Sequence, residues 1–146
     1  EKDFLNYLDS QNMVEWYWEN GTELMRVNFG ISYNNGMNTF QPDFIVKFKN
    51  GSVGIFDTKP VDHRVEDTTV KANALYDYLV NININRGSAP KIIGGIVVKV
   101  GTQFYVYLNG NYHDYNVSHD GWVNFNEVLR KIDDEVNIQK YLNNLK

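Results

Sequence analysis

The chain has no cysteine and only three prolines among its 146 residues. Without thiols it can build neither a disulfide framework nor a thiolate zinc site, and a reducing, cytoplasmic setting is the expectation. Few prolines and a 42% hydrophobic composition exclude a disordered segment and predict one domain over residues 1–146 with its own core. No stretch approaches the roughly 20 apolar residues of a membrane-spanning helix. The opening Glu1-Lys2-Asp3-Phe4 does not resemble a signal peptide, so no membrane partner is expected. Positive charge is also short: 14 Lys and Arg stand against 18 Asp and Glu, giving a net charge of −4. Because nonspecific nucleic-acid affinity comes largely from neutralising phosphates, such a chain would not hold DNA by its own surface. If it acts on nucleic acid, another component delivers the substrate. The absence of an initiating methionine, with a helical pattern already under way, reads as a piece of a longer protein.

What is present is β-rich patterning framed by helices. Phe4, Leu5 and Leu8 have helical spacing, ended by Asp9-Ser10-Gln11-Asn12. Val14, Trp16 and Trp18 alternate with polar residues before Asn20-Gly21, and Val27, Phe29, Ile31 and Tyr33 alternate before Asn34-Asn35-Gly36. Runs from Phe40 to Phe48 and from Ser52 to Thr58 flank Asn50-Gly51, which predicts an antiparallel hairpin. Val70, Ala74, Tyr78 and Leu79 mark a helix capped by Asp67, Thr68 or Thr69 and ending near Asn81. Lys91 to Val100 is apolar enough for a central strand. Gln103–Leu108 and Tyr112–Val117 flank Asn109-Gly110 as a second hairpin, and Phe125, Val128, Leu129, Ile132 and Val136 give a last helix. The expected fold class is α/β, a mixed sheet flanked by helices.

Pro42-Asp43 opens the first strand of the Asn50-Gly51 hairpin, and Asp57-Thr58-Lys59 ends the second. Two carboxylates and an ammonium thus converge at one end of a sheet. A hard cation such as Mg²⁺ takes oxygen ligands and keeps several waters, so two carboxylates plus phosphate oxygens suit it. Lys59, two residues beyond Asp57, projects from the same face. Both acids interrupt apolar runs, where an uncompensated carboxylate costs stability.

Strand parity decides whether the acids can cooperate. A two-residue turn at Asn50-Gly51 would set Asp43 opposite Thr58 and send the two carboxylates to opposite faces. A three-residue loop, Lys49-Asn50-Gly51, sets Phe48 opposite Ser52 and Asp43 opposite Asp57. The metal site therefore requires positive φ at Gly51, or an equivalent bulge near Pro42.

These residues carry a family resemblance. Phe29-Gly30-Ile31-Ser32-Tyr33, Thr39-Phe40-Gln41-Pro42-Asp43-Phe44-Ile45-Val46 and Gly54-Ile55-Phe56-Asp57-Thr58-Lys59 resemble the carboxy-terminal nuclease domain of type III restriction enzyme Res subunits and related helicase-nucleases. Those belong to the PD-(D/E)xK superfamily. The likeness extends through Val14 to Gly21 and through Lys71, Ala74 and Tyr76, covering Glu1 to about Val100. It implies a restriction-endonuclease-like αβββαβ core with an added hairpin and carboxy-terminal helix, and Mg²⁺-dependent (or Mn²⁺-dependent) cleavage of DNA. Asp43 and Asp57 would be metal ligands and Lys59 the catalytic lysine. Glu1 matches a first-helix glutamate that contributes to the metal site, and Lys71 a helix residue reaching toward phosphate. Implied partners are DNA, a helicase or translocase region of the same polypeptide, and a DNA-modification subunit. The chain departs from the pattern with Asp in place of the commoner Glu at position 57, and with Glu19 where relatives often carry a basic residue.

Other readings stand beside this one. A catalytically silent nuclease-fold module could dock DNA or a subunit, and an unrelated sheet protein could carry the motif by coincidence. Lys71 could be a solvated helix lysine. His63 could contact substrate or simply be an exposed loop residue. His113 and His119 lack the spacing of a zinc site and receive no role. Trp16 and Trp18 could stack on unpaired bases, although strand spacing assigns them to the core.

Overall fold

Around Asn50-Gly51 the chain folds as a hairpin in the computed structural model, which describes residues 1–20, 29–62, 64–114, 116–118 and 121–145. Among these residues the elements run α1 (Lys2–Asp9), β1 (Val14–Glu19), β2 (Ile31–Tyr33), β3 (Asn38–Phe40), β4 (Phe44–Phe48) and β5 (Val53–Lys59), then α2 (Val65–Ile84), β6 (Ile92–Val100), β7 (Gln103–Tyr107), β8 (Trp122–Asn124) and α3 (Phe125–Asn144). Six strands form one sheet in the order β1-β4-β5-β6-β7-β8, while β2 and β3 form a separate ribbon. Among the described residues β5 and β6 are the parallel pair, joined by the α2 crossover, and the other neighbours in the sheet are antiparallel. The molecule is thus an α/β protein with a mixed sheet. No helix among the described residues is long and apolar enough to cross a membrane.

Alternation along the strands separates the two faces of this sheet. One face carries Phe44, Val46, Phe48, Phe56, Val97 and Val106, packed under Phe4 and Leu8 of α1 and Phe125, Leu129 and Ile132 of α3. Phe4 is the hub of that core, with its ring centroid 5.3 Å from each of the Phe44, Phe104 and Phe125 rings. The opposite face carries Ile55, which joins Leu75 and Leu79 of α2 and Ile31 and Phe40 of the ribbon. Farther across it, Ile96 and Val98 pack with Ala72, Tyr107, Tyr112 and Trp122. Asp57 and Lys59 share the parity of Ile55 and so belong to the α2 face.

Several expectations need correction: Phe29 and Gly30 precede β2 and lie outside it, and α2 runs on past Asn81 to Ile84. The run from Phe40 to Phe48 is broken at Gln41–Asp43, because Pro42 has no N–H to give to a ladder. Helix α2 starts earlier than expected: its N-cap is Arg64, and Asp67, Thr68 and Thr69 lie inside the first turns. No strand forms over the described residues of Tyr112–Val117. Instead β7 turns back on β6 and takes β8 as its other neighbour. Finally, Trp16 and Trp18 belong to none of the buried clusters formed by the described residues. Gly21, Val27, His63 and His119, named above, lie outside the described residues.

Candidate active site

The geometry of the site begins with the register of the β4–β5 hairpin. Gly51 has φ of +92°, and Phe48 N donates to Ser52 O at 3.0 Å. The ladder then pairs Lys47 with Val53, Val46 with Gly54, Ile45 with Ile55 and Phe44 with Phe56. This is the three-residue loop register, and one step farther it sets Asp43 opposite Asp57. Pairs alternate between hydrogen-bonded and non-hydrogen-bonded along an antiparallel ladder, which makes this last pair a non-hydrogen-bonded one. Its Cα atoms approach to about 4.5 Å in ideal geometry.

The next rung would join Pro42 to Thr58, and there the ladder changes partners. Pro42 O accepts from Asn20 Nδ2 at 2.8 Å. Thr58 donates instead to the Asp43 carboxylate: its backbone N lies 2.8 Å and its Oγ1 2.7 Å from Asp43 Oδ2. One oxygen of Asp43 is thereby fixed across the end of β5. Asn20 holds the other side. Its Nδ2 also donates to Phe29 O at 2.7 Å, its Oδ1 accepts from Phe29 N at 2.9 Å, and its backbone N donates to Asp43 O at 2.8 Å. Neither Asn20 nor Thr58 stands out in the sequence as a site residue. Asn20 reads as half of an Asn-Gly turn, and Thr58 occupies the unspecified position of Asp-x-Lys.

Asp57 is the buried member of the pair, with only 2% of its surface exposed. Burial first, and then the charge of Asp43, raise its carboxyl to about 6 against the opposing effects of Lys59 and, more weakly, Lys71. Lys59 Nζ lies 2.7 Å from Asp57 Oδ2 in a close ion pair, and among the described residues no other side chain or backbone group bonds this buried oxygen. The Lys59 side chain is 24% exposed. Glu1, the N-cap of α1, joins from the other side: partial desolvation raises its carboxyl first, then the charge of Asp43 and a hydrogen bond with it, with Glu19 adding to the same effect.

All five residues singled out in the sequence therefore meet at one end of the sheet: Glu1 beside Asp43, Asp43 opposite Asp57, Lys59 on Asp57, and Lys71 within electrostatic reach of Asp57. The carboxylates form a chain, not a closed cage, and no group of three acidic or histidine side chains among the described residues encloses a point where a cation would sit. The donor set still suits Mg²⁺, which needs only one or two protein carboxylates and keeps water on its remaining positions. Asp57 Oδ2, buried and held among the described residues by the Lys59 ammonium alone, is the atom such an ion would share. No family model matches this chain, and neither does any curated protein or solved structure. His113 is exposed, pairing at 3.7 Å with Asp114, away from these groups.

Proposed function

We propose that this domain hydrolyses DNA phosphodiester bonds with the help of Mg²⁺ or Mn²⁺, as a nuclease module of the PD-(D/E)xK type. The observation that carries the reading is the offset hairpin register, which, carried one residue past Phe44 and Phe56, brings Asp43 to the same end of the sheet as the buried Asp57 and Lys59. The order α1-β1-β4-β5-α2-β6 within the main sheet supports the αβββαβ core that the resemblance implies.

Asp43 and Asp57 would hold the ion, with Glu1 reaching it through its place beside Asp43. When bound, such an ion would supply Lewis-acid polarisation of the phosphate and a lowered pKa for an attacking water. Asp43 contributes a carboxylate already locked by two hydrogen bonds, so little reorganisation is required on binding. Lys59 supplies an ammonium, held beside Asp57, that would orient the attacking water and stabilise the negative charge growing on the phosphoryl oxygens. Lys71 adds a second positive charge from α2, within electrostatic reach of the buried carboxylate. A helicase or translocase region of the same polypeptide would deliver the DNA, alongside a modification subunit, because a chain of net charge −4 lacks the cations to retain it alone.

The test is nicking of supercoiled plasmid in Mg²⁺ or Mn²⁺ by the domain and by the polypeptide that contains it. Asp57→Ala and Lys59→Ala should each abolish nicking, since losing a group that acts in the transition state costs two or more orders of magnitude in rate. Wild-type rates for Lys59→Ala would remove the catalytic assignment. The acidic balance of the chain favours one second reading, a silent nuclease-fold module that docks to another subunit. Divalent-ion binding that depends on Asp57, without nicking in either protein, would select it.

A further inference from the structure

Strand β6 has different neighbours along its two edges. On one edge the ladder with β5 begins at Ile92 and runs to Val98. On the other, the pairing with β7 runs from Val100 back to Ile96, opposite Tyr107, and stops there. Beyond Tyr107 the chain leaves β6: Leu108 N donates to Gly121 O at 3.2 Å, and Gly110 lies so close to Tyr76 of α2 that a Cβ on it would be 2.9 Å from the ring. Among the described residues, therefore, no strand covers the β7 side of β6 from Ile92 to Gly95.

At Ile92 a side chain takes the place of the missing strand. Asn83 of α2 accepts from Ile92 N and donates to Ile92 O, both at 2.8 Å, the two bonds that an opposed strand residue would exchange. Alternate residues of a strand turn their peptide groups to the same side, so Gly94 also points its N–H and C=O toward the open edge. Gly94 is buried, and buried backbone groups are almost always paired. The edge is one residue pair short of a continuous ladder.

Both faces of the sheet are apolar around this gap. On the α2 face a cavity of about 430 Å³ opens beside Gly94, against Tyr76, Val80 and Ile84. On the α3 face a second cavity, of about 380 Å³, is lined by Val123, Val128 and Ile132. Lys91, Ile93 and Leu108 line both, so the two cavities meet where β6 and the departing chain separate. Charge at the rims has one prevailing sign. Lys91 and Lys131 stand there, while Glu135, the acid of the second cavity, already accepts from Asn50 Nδ2.

We propose that this gap receives an extended segment of a partner protein, which adds a short strand beside Gly94. The main chain of the segment would exchange two hydrogen bonds with Gly94, and its successive side chains would enter the cavities on opposite faces of the sheet. The chemistry of the occupant follows: about three consecutive apolar residues, to fill both cavities by alternation, next to a carboxylate that meets Lys91 or Lys131. A helix would offer neither the free main-chain groups nor the alternation. Neither cavity is lined by Asp43, Asp57, Lys59 or Lys71, and the inference does not depend on the nuclease reading.

Two measurements test the open edge and its occupant. In amide hydrogen exchange followed by NMR, Gly94 of the full chain should exchange at least about tenfold faster than Ile93 and Gly95, whose N–H groups face β5. Selection from a displayed library of random nonapeptides should enrich apolar triplets flanked by Asp or Glu, and a synthetic peptide of the enriched sequence should slow exchange at Gly94 on saturation. Val80 is 42% exposed, so Val80→Asp leaves the core intact; it should weaken that peptide at least about tenfold, and Lys91→Ala should weaken it less. A Gly94 amide as protected as its neighbours would overturn the proposal, as would a library that enriches no such sequence. So would a peptide that ignores Val80→Asp or leaves exchange at Gly94 unchanged. Self-association of the chain, lost in Val80→Asp, would put a second copy in the gap and overturn the partner segment.

Discussion

Asp43 falls in register with Asp57, one residue beyond the Phe44–Phe56 pair, because Gly51, at the other end of the same hairpin, holds a left-handed backbone. The turn adds one residue to the β4 side of the loop, and that residue decides which face of the sheet Asp43 serves. A non-glycine side chain at this φ costs about 1–2 kcal/mol, and a Cβ on Gly51 would also come within 3.2 Å of Pro90 Cγ. Gly51→Ala should therefore lower stability by about that amount in urea unfolding, and Gly51→Asn by less, since asparagine tolerates this region. A neutral Gly51→Ala would mean that the loop does not hold the register.

The charge on Asp57 predicts a pH dependence with a definite sign. Its carboxyl rises from the usual 3.8 to about 6 in the folded protein, so the folded state binds more protons than the unfolded state between those values. Stability then falls as pH rises from about 4 to 6 and stays reduced above, by about 3 kcal/mol in total. Asp57→Asn removes this loss. It should unfold at a higher denaturant concentration than the parent at pH 8 and show little difference at pH 4. Adding Mg²⁺ at pH 8 should stabilise the parent and leave Asp57→Asn unchanged. A variant less stable than the parent at pH 8 would contradict the burial-driven shift.

How much of this was legible in the sequence depends on the range of the interactions involved. The Lys49-Asn50-Gly51 loop is local chemistry, and strand parity carried its consequence to Asp43 and Asp57 without tertiary information. The helical faces of α1 and α3 likewise followed from spacing, with Phe4, Leu8, Phe125, Leu129 and Ile132 buried as their periodicity requires. The facing of Trp16 and Trp18 did not follow, because alternation places Val14, Trp16 and Trp18 on one side, and the bulge at Glu15 is fixed by pairing with β4. Nor did the partner of β7: Asn109-Gly110 looks like a hairpin turn, yet Gly101, with φ of +63°, turns the chain between β6 and β7. Asn111 N-terminal to Tyr112 also has positive φ, and Tyr112 N is taken by Asn73 Oδ1 at 3.2 Å, so that backbone donor serves α2 instead of a ladder. Asn20 was hidden for the same reason, since its three side-chain hydrogen bonds reach residues distant in sequence.

Lys71 acts on Asp57 through space, as the weakest of the effects that lower its carboxyl. Removing it should not abolish chemistry as removal of Lys59 does. For Lys71→Met we expect a rate loss of about tenfold, within the range of a second-rank electrostatic contribution, and an acid limb of the pH–rate profile displaced to higher pH because Asp57 ionises less readily. A profile that keeps its position while the rate falls would indicate that Lys71 contacts substrate without influencing Asp57.

Asn20 supports the site without belonging to it, and its substitutions separate positioning from chemistry. It is 9% exposed, and its side chain satisfies Phe29 N, Phe29 O and Pro42 O. Asn20→Ala strands those backbone groups in a buried setting, where each unsatisfied group costs about 1–3 kcal/mol. The total should be at least about 2 kcal/mol, since solvent can reach only part of the gap. Asn20→Asp keeps the acceptor for Phe29 N but sets a carboxylate oxygen against two carbonyl oxygens, so it should be at least as damaging near neutral pH and less so in acid. Because Asn20 holds the segment that ends in Asp43, Asn20→Ala should also weaken Mg²⁺ binding measured by calorimetry at a temperature where the variant remains folded. The Thr58 hydrogen bonds to Asp43 Oδ2 remain as a second anchor, so the expected loss is partial, about tenfold. Unchanged Mg²⁺ affinity, with stability reduced as expected, would show that Thr58 alone suffices to place the carboxylate.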